Sequence, residues 1–108
     1  MYNAISFEEA NKYFNTHKIV LTYFSTNDCN VCKVLKPKVK ELIEYEFPLI
    51  NFLYINVNES KEIAAQFSVF AIPTIILFID GKEYIRKSRF INLEELKSEL
   101  DRIYNLIF

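Results

Sequence analysis

The chain has 108 residues, 51% of them hydrophobic, which suits one domain spanning 1–108 with a real core and excludes a disordered linker. A net charge of −1, with both signs interspersed, leaves no electrostatic case for nucleic acid or an anionic membrane surface. No apolar run approaches the roughly 20 residues of a membrane span, and the segment from Met1 to Glu9 lacks the basic and apolar blocks of a signal peptide, so the expected location is the cytoplasm.

Residues 1–5 are expected to form a short edge strand. Ser6 with Glu9 three residues on is a capping box. It opens a first helix with Phe7, Ala10, Tyr13 and Phe14 on one stripe, ending at Thr16-His17-Lys18. Ile19 to Phe24 is almost continuously apolar, as in a strand covered on both faces. Ser25 to Asp28 is a loop. A second helix is expected from about Cys29 to Tyr45, with Val31, Leu35, Val39, Leu42 and Ile43 at helical spacing and Pro37 kinking its middle. A strand follows at 50–57, then a short helix from Glu59 to Gln66 capped by Asn58. Ile75 to Ile79 is a second apolar strand. Asp80-Gly81 is a two-residue hairpin signal, and 83–88 is the return strand. Asn92 with Glu95 caps a last helix that buries Leu93, Leu96, Leu100, Ile103 and Ile107. Helix alternates with strand in the first half, and a hairpin and helix close the second. This order implies an α/β fold, a mixed four- to five-stranded sheet with helices on both faces.

Cys29 and Cys32 are the two cysteines of the chain, one helical turn apart at the junction of strand and helix. Thiols at that spacing can close a disulfide or grip a soft metal, and at a strand-to-helix junction the redox reading is favoured. The helix start offers unpaired N–H groups and a positive dipole end, which stabilise a thiolate. In a reducing cytosol a lone pair of this kind is not a structural staple. Two thiolates are half a tetrahedral zinc shell, and the chain has a single His, so no metal and no cofactor are expected. No nucleotide loop, catalytic triad or HExxH motif is present.

The chain resembles the thioredoxin family over nearly its whole length. The resemblance rests on C-x-x-C after the strand ending in Phe24, on Pro37 five residues beyond Cys32, and on Ile72-Pro73-Thr74, with Pro73 forty-one residues beyond Cys32. Asn56-Val57-Asn58 through Ala64, Phe67 and Val69, then Phe78 and Gly81, continue it in register. The departures are in the tuning residues. Asp28 stands where the family usually has Trp, and Asn30-Val31 replaces Gly-Pro. Tyr23 and Tyr54 take the places of a buried Asp and Lys, and Arg89 that of a Gly beside the substrate groove.

The resemblance implies a thiol–disulfide oxidoreductase that reduces protein disulfides. Cys29 would be the nucleophile and Cys32 the resolving thiol. A cis peptide before Pro73 would let backbone near Ile72, in the Ile72-Pro73-Thr74 segment, pair with an extended substrate. Asp28, beside Cys29, should oppose its thiolate, or else cap the helix. Tyr23 and Tyr54, with ordinary pKa values near 10, cannot carry protons at neutral pH and read as core residues. The partners implied are disulfide-containing proteins and a reductase or low-molecular-weight thiol as electron donor, with the protein a monomer. Lys33, Lys36, Lys38 and Lys40 make the second helix basic, chiefly as a solvated face. Arg89 and Phe90 shape a groove or simply end the last strand, and His17 stays outside the site. The alternative is a non-catalytic binding or redox-sensing module on the same scaffold.

Overall fold

A computed structural model describes residues 2–4 and 6–108, the first three by their backbone alone. The elements run β1 (Tyr2–Ala4), α1 (Phe7–Thr16), β2 (Ile19–Ser25), α2 (Asn30–Glu46), β3 (Asn51–Asn56), α3 (Lys61–Gln66), β4 (Thr74–Ile79), β5 (Lys82–Ser88) and α4 (Leu93–Ile107). β1 lies within the expected edge strand, whose ends Met1 and Ile5 fall outside the described residues.

The strands form one five-stranded sheet in the order β1-β3-β2-β4-β5. β3 runs parallel to β1 and β2, whereas β4 runs antiparallel to β2 and β5. Every residue of β2 and β4 is buried, as continuous apolar runs require when both faces of a sheet are covered. Side chains alternate between two cores. On one face Val20, Phe24, Leu53, Ile55, Ile76 and Phe78 pack on Ala10 and Phe14 of α1 and Ile63 and Ala64 of α3. On the other, Ile19, Leu21, Tyr23, Ile75 and Leu77 pack on Cys32, Leu35, Val39 and Ile43 of α2 and Leu96 and Leu100 of α4. Among the described residues no helix is long and apolar enough to cross a membrane.

Local signals set several boundaries as expected. The Ser6 hydroxyl accepts from the Glu9 N–H at 3.1 Å, and the Asn92 side chain accepts from the Glu95 N–H at 3.0 Å. Asp80 and Gly81 both have positive φ, 52° and 79°, the geometry of a tight primed turn between paired Ile79 and Lys82. α2 continues through Pro37, whose missing N–H deprives the Lys33 carbonyl of its helical donor.

Two expectations fail. Asn58 does not cap α3; the cap is Ser60, because Asn58 is drawn instead to the neighbouring Asn27 backbone. Val31 does not join the buried stripe of α2 and is 58% exposed, because Cys32 takes the inward position at that turn.

Thr22 is fully buried in β2, and its hydroxyl has no hydrogen-bond partner among the described residues. Its register neighbours are Leu53 and Ile76. A buried polar group without a partner costs stability, whereas a methyl of the same shape does not. Thr22→Val should therefore raise unfolding stability by about 1 kcal/mol, read from the urea midpoint at constant slope.

Candidate active site

Cys29 sits where β2 delivers the chain to α2, and it is the helix cap itself. Its Sγ accepts a hydrogen bond from the Cys32 N–H at 3.1 Å. The capping role considered for Asp28 therefore falls to its neighbour, and Asp28 lies exposed beside it. Cys29 is half-buried and Cys32 is 2% exposed, so the first sits at the margin of the core and the second within it. The two are joined as a disulfide, with Cα atoms 5.2 Å apart.

The turn before Cys29 is tied to the β3–α3 loop. The Asn27 N–H donates to Asn58 Oδ1 at 2.8 Å, and Asn56 Nδ2 donates to Asn27 Oδ1 at 2.7 Å. The Asn58 N–H closes the set on Asn56 Oδ1 at 2.9 Å. The Val57 N–H reaches the Ser25 carbonyl at 2.8 Å. Sequence reasoning missed this clamp. The Asn residues involved lie 29 to 31 positions apart and carry no periodic pattern. Their signal was the cluster of Asn residues flanking the two strand ends.

The Ile72–Pro73 peptide is cis. Pro73 is buried and Ile72 half-buried, and both line a groove of about 540 Å³ together with Cys29, Asn30, Val31 and Arg89. Neither the N–H nor the C=O of Ile72 has a partner among the described residues. Thr74 is placed differently. It is buried at the start of β4, and its hydroxyl donates to the Ala71 carbonyl at 2.6 Å and meets Ser88 Oγ at 3.0 Å. Its side chain thus shapes the turn before Pro73 and does not line the groove.

Beneath the cysteines lie two tyrosines. Tyr23 is fully buried and its hydroxyl donates to the Cys32 carbonyl at 3.3 Å. Burial, and secondarily the neighbouring Tyr54, push the Tyr23 hydroxyl well above its ordinary pKa, so it remains a donor. Tyr54 is half-buried, pairs with Ser25 Oγ at 2.7 Å, and carries the Lys36 ammonium 3.5 Å above its ring. Burial, then repulsion from Lys40, lowers the Lys36 pKa. Tyr23 is thus a core residue that also touches the redox helix, and Tyr54 is a platform for one of its lysines. Lys40 pairs loosely with Glu44 at 3.8 Å. His17 caps the end of α1, its ring stacked on Tyr13. Among the described residues no cluster of three or more His, Cys, Asp or Glu side chains could hold a metal ion.

A half-buried cysteine at a helix start, bonded to a buried one and facing a cis-proline segment, is a dithiol–disulfide site. Comparison with protein families matches residues 3–102 to Thioredoxin. The chain belongs to the thioredoxin family. It is 37% identical over 94 residues to thioredoxin-like protein YdfQ of Bacillus subtilis, covering 87% of this chain and 83% of that one. It is 33% identical over 92 residues to the thioredoxin of Mycoplasmoides gallisepticum, covering 85% of this chain and 91% of that one. Among solved structures, Fasciola hepatica thioredoxin superposes with a TM-score of 0.86 at 30% identity, covering 94% of this chain and 98% of that one. Like thioredoxins, the protein is a thiol–disulfide oxidoreductase with a C-x-x-C redox pair, Cys29 and Cys32.

A carboxylate next to a thiol favours the neutral thiol. Asp28→Ala should lower the Cys29 pKa in the reduced protein, measured as alkylation rate against pH. A superimposable rate profile in the variant would contradict this role.

Proposed function

We infer that the protein reduces disulfides in other proteins, with Cys29 attacking and Cys32 resolving. The observation that carries this reading is the asymmetry of the pair: half-buried Cys29 lines the groove, while Cys32 is buried and does not. The Cys29 thiolate attacks one sulfur of a substrate disulfide. That S–S bond breaks, a mixed disulfide forms, and the other substrate sulfur leaves as a thiolate that takes up a proton. The Cys32 thiolate then attacks Cys29 Sγ. The mixed disulfide breaks, the second substrate sulfur leaves and is protonated, and the Cys29–Cys32 disulfide remains. Two electrons have passed to the substrate, and a reductase or low-molecular-weight thiol returns them.

The helix start supports the first step. The Cys32 N–H that bonds the Cys29 sulfur is one of the donors that favour negative charge there. The free backbone groups of Ile72 suit pairing with an extended substrate segment, as in strand addition. Tyr23 cannot exchange protons near neutrality, so the Cys32 proton leaves by another route, through water or another group. We place this activity in a reducing cytoplasm, with the protein acting as a monomer. The competing reading is a binding or redox-sensing module. It draws on the same replacement of ionisable residues by Tyr23 and Tyr54.

Cys29→Ser should abolish reduction of insulin. Cys32→Ser should retain attack and accumulate a mixed disulfide, visible as an added mass under non-reducing conditions. Wild-type protein that fails to reduce insulin while Cys32→Ser still captures a partner would favour the binding module. Undiminished activity in Cys29→Ser would overturn the assignment of the nucleophile.

A further inference from the structure

Five phenylalanines of the chain, at 14, 24, 47, 52 and 78, are at most 7% exposed. Phe70 and Phe90 are 88% and 96% exposed, and both line the groove that holds Cys29. Val31, 58% exposed, adds a further apolar side chain to the same rim. Exposed apolar side chains converging on one concavity mark a contact surface, whereas single scattered ones do not. Arg89 is the one charged residue among those that line the groove. No carboxylate pairs with Arg89 among the described residues.

The backbone fixes this arrangement. Arg89 has φ +67°, a left-handed conformation uncommon for a residue with a side chain. Its N–H donates to the Pro73 carbonyl at 2.8 Å. That bond ties the backbone of the Arg89-Phe90 corner to the cis-proline turn, and both line the groove that holds Cys29.

Resting on the reductase reading, we propose that Phe70, Phe90 and Arg89 form a specificity clamp for extended substrate segments carrying a bulky apolar residue and an acidic residue beside the target cysteine. The two rings and Val31 cover the apolar side chain. The guanidinium meets the carboxylate, as a planar fork does best. Ile72 supplies backbone pairing that is blind to sequence, so the side chains of the clamp supply the choice.

Recognition is tested apart from turnover by titrating the oxidised protein, followed by NMR, with cysteine-free peptides holding serine in place of the target cysteine. One peptide carries Phe and Glu beside the serine, a second has Ala for Phe, and a third has Lys for Glu. The first should bind about tenfold more tightly than the second, as expected for a bulky apolar side chain leaving water. It should bind about threefold more tightly than the third, a margin that shrinks at high salt. The double variant Phe70→Ala/Phe90→Ala should lose the first preference. Arg89→Gly, which suits the left-handed backbone, should lose the second. The Cys29–Cys32 redox potential, measured in each variant, separates recognition from redox poise. Equal affinities for the three peptides, no binding of any, or preferences that survive in the variants would overturn the clamp. Intact preferences together with no reduction of insulin would refute the reductase reading and leave the clamp standing.

Discussion

Asn27, Asn56 and Asn58 hold the turn that carries Cys29 against the β3–α3 loop, and the redox site depends on that tie. A sulfur at a helix cap is useful only if the cap stays where it is. β2 and β3 end side by side, with Ser25 paired to Asn56 in register, so both loops leave the sheet at the same end. The sheet itself cannot yield there, since β2 is buried along its whole length between two cores. Opposite the cysteines, the Arg89 N–H and the Thr74 hydroxyl hold the two sides of the cis-proline turn. The site is thus built from loops, but loops clamped by polar contacts to rigid strand ends.

The interior behind the cysteines has been made aromatic. Tyr23 spends its hydroxyl on the Cys32 carbonyl, and Tyr54 spends its own on Ser25. Both hydroxyls are therefore satisfied, which a buried phenol needs. Burial holds the Tyr23 hydroxyl protonated at neutral pH. Lys36 is the cation nearest to this layer among the contacts described, and it lies on the Tyr54 ring. Such a layer fills the interior behind the cysteines with stacked rings.

The parts of the fold written in short-range chemistry were legible from the chain. Ser6 with Glu9, Asn92 with Glu95, and Asp80-Gly81 each act within a few residues, and each does in the structure what its spacing implies. The apolar runs of β2 and β4 announced a sheet covered on both faces. What failed was decided at long range. Asn58 has the right chemistry to cap α3 but finds a partner 31 residues away. Val31 fits a helical stripe by spacing, yet the turn is phased by Cys32, whose burial leaves Val31 facing the groove. The cap of α2 went to a cysteine sulfur, which a ranking of capping residues by their oxygens does not foresee. The cysteines, Pro73 and Arg89 were legible as a group only through resemblance to a family, because nothing local connects Cys32 to a proline forty-one residues on. The exposure of Phe70 was not foreseen at all.

The most direct test is a redox titration of the Cys29–Cys32 pair. The protein is equilibrated across dithiothreitol ratios, its free thiols are trapped by alkylation, and they are counted by mass. A reductase with a carboxylate beside its nucleophile should show a reversible two-electron couple at about −270 mV or lower. A couple at about −120 to −180 mV would contradict the reductive direction and make the protein an oxidant or isomerase. Absence of any intramolecular disulfide across the range would contradict the oxidoreductase assignment itself.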